Sequence, residues 1–273
     1  MAPFIDKYIT VISNGELSKR IYPGNKVSKF RAVLPKPIEL DTTTTGVRNK
    51  VYEMGLKEFQ VPVSFYNVYK KECYMDVVMD FPHLMGNDTL VENVTVLTLP
   101  EGFYNDVNHI LHQLNDVNLV LQNVTFKYNP NSGRVEVTQV PGGIRVNLSP
   151  ALRALLGFKT EGETYIHEGP APNTVDLFAN IPRQLFLHCD VVEPQLIGDT
   201  KRRVLRTVGI DDVKRFGSLL VKTFDVPDYV PILQPHFQTI EFAIRTEDGR
   251  KAPFQFGPSL VKVHIRRATG SNR

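Results

Sequence analysis

The sequence predicts an all-β fold: a β-sandwich or barrel with two short helices in inserted or connecting segments. Three observations carry the sheet prediction. Short runs of alternating apolar and polar residues recur along the chain, clusters of Gly, Pro and Asn separate them, and only two stretches show a helical period. Long loops at the ends of the strands suit a jelly roll, although periodicity alone does not separate that fold from an immunoglobulin-like sandwich. Against the latter, the chain has no Trp, and Cys73 and Cys189 stand too far apart in sequence for the usual inter-sheet pair. With 273 residues, 42% of them hydrophobic, the chain can bury a full core as one domain, 1–273. Residues 100–175 read as a helix-containing elaboration of that domain and 268–273 as a short basic tail.

Tyr8 to Ser13 is an alternating strand, and Asn14-Gly15 with Pro23-Gly24-Asn25 marks the loop after it. Phe30 to Leu34 is the next strand. Its exit through Pro35-Lys36-Pro37 removes two ladder donors, which suits a strand end or an edge. From Val51 the apolar positions are Tyr52, Met54 and Leu56, then Phe59 and Val61. This change of phase predicts a β-bulge near Lys57 and Glu58. Met75 to Asp80 and Val94 to Leu99 read as two further strands.

Phe103, Val107, Ile110, Leu111 and Leu114 form one helical stripe, so Asn105 to Leu114 is predicted as an amphipathic helix. Asn118 to Tyr128 and Arg134 to Thr138 pair as a hairpin around Asn129-Pro-Asn-Ser-Gly133, and Ile144 to Leu148 follows the Pro141-Gly142-Gly143 turn. Ser149-Pro150 starts a second helix with a hydroxyl cap and Pro at its first position. Leu152, Leu155 and Leu156 share a face, and Gly157 stops it. Glu161 to Asn173 has no period and reads as an exposed loop.

In Gln184 to Val208, Leu185, Leu187, Cys189 and Val191 alternate with Phe186, His188, Asp190 and Val192, which makes one face wholly apolar. A polar loop with Gly198-Asp199 leads to a returning strand, Val204 to Val208. Thr239 to Thr246, the Glu247 to Arg250 turn, Ala252 to Gly257 and Leu260 to Arg266 complete the set of strands and turns. Leu185, Leu187 and Val191 are expected to face the core, as are Ile240, Phe242 and Ile244.

These last residues also carry a resemblance. The order of CD-V-EP, IGDT, LRTV, DVPDYVPIL, F-TIEF-IRTEDGR-APFQFG and VKVHIRR, running unbroken through Gln184 to Arg267, resembles the penton (minor capsid) proteins of Polinton/Maverick elements and adintoviruses. A weaker echo lies in YITVISN, FRAVLPKPIEL and YEMGLKEFQVP, and none is evident from about Lys70 to Leu148. The resemblance implies a single jelly-roll β-sandwich, and the choice of that fold over other sandwiches leans on it. A homopentamer closing the fivefold vertices of an icosahedral capsid is implied as well, with no catalysis or cofactor. It also implies a double jelly-roll major capsid protein of the same element as partner. The location implied is the virion, with synthesis in the host cytoplasm and assembly there or in the nucleus.

Composition excludes little by itself. A formal net charge of +3 falls short of the concentrated basic field of a dedicated nucleic-acid binder. No apolar run reaches the roughly 20 residues that span a bilayer, so no membrane partner is expected. The start, MAPFIDKYITVIS, lacks a signal-peptide pattern, which together with two Cys predicts a reducing compartment. The sequons at Asn87, Asn93, Asn123 and Asn147 are read as chance.

The candidate chemistry is sparse. His188-Cys189-Asp190 has the residue types of a nucleophile, its base and an orienter, but neighbours on a strand point to opposite faces, so Cys189 is read as a core thiol. Nothing marks His83, His109, His112 or His167 as a distant base. His109 and His112 stand at i and i+3 without the further ligands a zinc site needs. Asp76, Asp80 and Asp88 lack calcium-loop spacing, and Gly198-Asp-Thr-Lys-Arg lacks that of a P-loop. The sharpest charge cluster is Lys201-Arg202-Arg203 with Arg206. No aromatic interleaves it, so Arg202 and Arg203 are candidates for a subunit interface. Arg266, Arg267 and Arg273 are candidates for a basic tail touching capsid or, weakly, nucleic acid. The alternative reading is a jelly-roll carbohydrate-binding or cupin-like module.

Overall fold

The computed structural model describes residues 6–40, 51–81, 91–116, 124–138, 144–162, 164–210 and 215–268. The chain forms two compact units. Unit 1 takes Met1–Phe65 and Pro182–Arg273, and unit 2 takes Tyr66–Ile181.

In chain order, unit 1 begins with β1 (Lys7–Ile12), α1 (Glu16–Ile21), β2 (Lys29–Glu39) and β3 (Tyr52–Pro62). Unit 2 contains β4 (Tyr74–Phe81), β5 (Val91–Thr98), α2 (Val107–Asp116), β6 (Thr125–Asn129), β7 (Arg134–Thr138), β8 (Ile144–Leu148), α3 (Pro150–Leu156) and β9 (Gly169–Pro170). Unit 1 resumes with β10 (Gln184–Cys189), β11 (Gln195–Ile197), β12 (Thr200–Arg202), β13 (Val204–Gly209), β14 (Leu219–Thr223), β15 (Tyr229–Pro231), β16 (His236–Arg245) and β17 (Leu260–Arg267).

Unit 1 is a jelly roll, and its pairing shows why. Sheet I has the order β1-β17-β3-β14 and sheet II the order β13-β10-β16-β2. The antiparallel pairs are β1 with β17, β2 with β16, β3 with β14 and β10 with β13. First pairs with last, second with second-to-last, and so inward, which is one long hairpin rolled into two sheets. Period-2 alternation puts Met54, Leu56, Val261, Val263 and Ile265 of sheet I, and Leu185, Leu187, Ile240, Phe242 and Ile244 of sheet II, in the core, all but fully buried. Leu185, Leu187, Val191, Ile240, Phe242 and Ile244 are all buried, as the alternation predicts.

The bulge expected near Lys57 is present. Val263 pairs with Leu56 and Lys262 with Glu58, so Lys57 is the extra residue. On the other side of β3 the partner changes at the same place: β14 covers Glu58–Pro62 and β15 covers Glu53–Gly55. Lys57 holds the connection between them, because its carbonyl accepts from Phe224 N at 2.9 Å and its Nζ donates to Asp225 O at 3.1 Å.

Several expectations need correcting. β2 does not stop at Leu34 but runs through both prolines to Glu39. As an edge strand it needs no donor on its outer side. α1 has only Ser18 buried and hence no apolar stripe to predict it. Ala252 to Gly257 is not a strand; beside the Arg245–Lys251 bridge, Ala252 N donates to the Ile244 carbonyl of β16 at 3.0 Å.

Unit 2 has its own core, in which α2 buries Val107, Ile110, Leu111 and Leu114 and α3 buries Leu152, Leu155 and Leu156. The α2 helix starts at Val107 rather than Asn105, and strand structure before Tyr128 begins at Thr125, with 117–123 outside the described residues. The Pro141-Gly142-Gly143 turn is likewise outside them. α3 has the punctuation its sequence predicts. Ser149 Oγ accepts from Leu152 N at 3.4 Å, Pro150 begins the helix, and Gly157 closes it at φ +81° against the Asn173 carbonyl, where a Cβ would collide.

The described residues of Glu161 to Asn173 are mostly exposed, as expected of a loop, but the segment is held at several points. Arg153, itself buried, donates to the carbonyls of Leu148, Lys159 and Thr164 and to Asn147 Oδ1, at 2.6 to 3.1 Å. Ile166 N and Ala171 N bond back to Val146 and Val135, and Gly169–Pro170 pairs with β7. A planar fork satisfies this many acceptors where an ammonium does not. Arg153→Lys should therefore cost about 3 kcal/mol, read by urea denaturation, through loss of charge-assisted bonds to buried acceptors. In unit 1, Leu187→Ala should cost about 2 to 5 kcal/mol, whereas Val221→Ala, on an exposed edge, should stay within about 0.5 kcal/mol.

Candidate functional site

The basic residues singled out by sequence are distributed over three places. Arg202 lies in β12, in the β11–β12 hairpin, and its Nε donates to Thr200 Oγ1 at 2.9 Å. Arg203 is exposed and its Nη1 donates to the Asp190 carbonyl at 3.2 Å. Arg206 leaves this cluster: it lies 3.9 Å from the Phe224 ring and 3.0 Å from Asp228 Oδ2. Lys201 and Arg202 thus remain on the two-stranded β11–β12 hairpin, with Arg203 just beyond it.

Arg266 and Arg267 do not belong to a tail. They are the last two residues of β17, where the alternation that buries Val261, Val263 and Ile265 turns Lys262, His264 and Arg266 to the outer face of sheet I. Arg266 Nε donates to Glu53 Oε1 at 2.6 Å, and its guanidinium lies 3.5 Å from the Tyr229 ring centroid. Tyr229 Oη bonds His264 Nδ1 at 2.7 Å, and Tyr8 stacks on His264 at 4.4 Å. Arg273 lies outside the described residues.

His188, Cys189 and Asp190 alternate between faces as a strand requires. Cys189 is in the core, its Sγ 4.0 Å from Met54 Sδ, and burial pushes its thiol up to about 12. A thiol so rarely ionised is a poor nucleophile. On the outer face, burial lowers the His188 imidazole to about 4, and the Arg245 and Arg202 charges push the same way. Asp190 is raised by burial, and its Oδ1 accepts from Glu241 N at 2.9 Å.

Sequence reasoning missed Glu241. Burial alone would raise its carboxyl, but Lys29 Nζ and Arg31 Nη2, each at 2.9 Å, hold it below its ordinary range. His109 and His112 lie on the exposed face of α2, where His112 Nδ1 is 2.7 Å from Asp116 Oδ2. His167 is exposed, Asp76 Oδ2 accepts from Asn147 at 3.4 Å, and His83 and Asp88 fall outside the described residues. Among the described residues, no group of three or more His, Cys, Asp and Glu is placed to hold a metal. No described helix is long and apolar enough to cross a membrane.

Sequence also gave no sign of exposed apolar side chains on the two edges of sheet I. On β1, Tyr8 is 58% and Ile12 41% exposed. On β14, Leu219 is 57% and Val221 49% exposed, and Val226 beyond it is 82% exposed. A groove of about 580 Å³ runs between β1 and β2.

No family model matches the chain, and no curated protein matches it. Among solved structures it is similar to the mavirus penton protein, with a TM-score of 0.52 and 15% identity over 97% of this chain and 99% of that one. A chain of the Sputnik virophage structure aligns with a TM-score of 0.48 and 9% identity, over 95% of this chain and 97% of that one. The first similarity shows a shared fold over nearly the whole chain.

The lowered His188 fixes the sign of one pH effect. The unfolded chain binds a proton at His188 near pH 6.5 that the folded chain refuses until about pH 4, so this group's contribution to stability is intact above 6.5 and lost as pH falls through that window. Urea midpoints measured from pH 7 to 4 should fall more steeply for the native protein than for His188→Gln.

Proposed function

We propose that this chain is a penton, a structural virion protein whose pentamer closes the fivefold vertices of an icosahedral capsid. The observation that carries the reading is the nested pairing of unit 1, a complete jelly roll, with a fold shared almost end to end with the mavirus penton protein. The motif order from Gln184 to Arg267 supports the same reading. Unit 1 is then the single jelly-roll domain, and residues 100–175 belong to the elaboration inserted in it.

A cyclic ring needs two different surfaces on each subunit. The basic hairpin with Arg202, Arg203 just beyond it, and the unlike edges of sheet I supply such surfaces. The partners are other copies of this chain and a double jelly-roll major capsid protein, with Arg267 and Arg273 reaching capsid or, weakly, nucleic acid. No catalytic step is assigned. Cys189 is sealed in the core and His188 is held neutral on the other face of its strand.

The carbohydrate-binding or cupin-like alternative gains no specific support from the geometry. Native mass spectrometry distinguishes the readings: a species of five times 30.9 kDa supports the penton, and a glycan-binding monomer supports the alternative. Because shell contacts add to ring stability by mass action, the measurement is made with and without the major capsid protein. A monomer under both conditions, missing from the vertices of assembled shells, overturns the proposal.

A further inference from the structure

We propose that copies of this chain join head to tail through the two outer edges of sheet I, with β1 of one copy lying antiparallel against β14 of the next. This inference rests on the ring reading above and names its seam.

Strand sense comes first. Each neighbouring pair in β1-β17-β3-β14 is antiparallel, so β1 and β14 run in opposite directions. A rotation about an axis along the strands preserves their sense. It therefore brings β14 of one copy beside β1 of the next in the antiparallel arrangement a ladder needs. Among the described residues β1 pairs only with β17, and β14 only with β3.

Main-chain direction agrees. Ser13 N donates to Ser259 O at 2.9 Å, so the odd positions of β1 turn their amides and carbonyls to β17. By alternation Tyr8 and Thr10 turn theirs to the open side. The Ile12 carbonyl is already engaged by Gly15 N at 3.0 Å, which ends the open stretch at the α1 turn.

Side chains supply the third observation. The cross-strand row Ile12, Leu260, Gln60, Val221 lies on the outer face of sheet I, and the next is Thr10, Lys262, Glu58, Thr223. Beside half-buried Leu260, the middle of the face carries Gln60, Glu58 and Lys262, while its margins carry exposed Tyr8 and Ile12 on one side and Leu219 and Val221 on the other. An open edge flanked by exposed apolar side chains is a template for another strand. Joining margin to margin makes one apolar strip across the seam. A twofold contact of β1 with β1 would leave the β14 margin uncovered.

Cysteine cross-linking tests the seam. Tyr8, Thr10 or Ile12 is replaced by Cys in combination with Cys at Leu219, Val221 or Thr223, and the full chain is oxidised mildly. Cys73 and Cys189, 0% and 1% exposed, stay out of the reaction. In-register combinations should give a ladder of covalently linked copies on a non-reducing gel, and each single substitution should give none. Val221→Lys should lose the oligomer while keeping the monomer's circular dichroism spectrum. Pentamers that form normally with no cross-link in any combination overturn the seam and leave the penton reading standing. Linked rings of another number support the seam and overturn the penton reading. Linked dimers from single substitutions mean a twofold contact and overturn the seam, and monomers without cross-links overturn both.

Discussion

The pairing of the first strand with the last is the constraint on which the rest of unit 1 depends. Lys7 sits opposite Ile265 and Ile12 opposite Leu260, and inside that pair the remaining strands nest in order. Nearly all of these pairs are distant in sequence, so each requires a large loop to close before it gains a hydrogen bond or buries a side chain. What offsets that cost is the shared inner face. Phe30 and Phe242 meet at 5.7 Å within sheet II, and Cys189 touches Met54 between the sheets. A strand placed one residue out of register would turn its apolar set to solvent, so the core and the nesting specify each other.

Unit 2 enters the sequence between the third and fourth strands of this scheme, where the chain passes from sheet I to sheet II. None of the nested pairs runs through it. It has two sheets of its own, and its polar anchors are internal: Asn115 bonds both the amide and the carbonyl of Phe126, and Asn67 bonds Tyr104 at both groups. A jelly roll can carry such an insertion because it interrupts a connection and not a ladder.

The sequence made the period-2 faces, the Lys57 bulge and the capped helix α3 legible, because each is a local pattern with a local cause. The chain around Pro35-Lys36-Pro37 was legible only in part, since two prolines mark an edge or an end equally well and only the sheet order decides. Arg266 looked like part of a basic tail because Arg-Arg near a terminus is read by charge. Its alternation with Val263 and Ile265 was the better guide. Glu241 and the apolar margins were not legible at all, since the first depends on a neighbouring strand 210 residues away and the second on which sheet edges remain open.

The bulge at Lys57 makes β3 two half-strands keyed to two different partners, joined by one residue of slack. Counting matters more than chemistry there. Replacing Lys57 leaves the spacer in place, whereas deleting it would set Met54 and Leu56 out of step with Phe59 and Val61, and no side chain at any other position restores the count. Sequence drift at this position is therefore free to change the letter but not the length, and the connection from Phe224 to Asp225 moves with it, because it is fastened to the spacer itself.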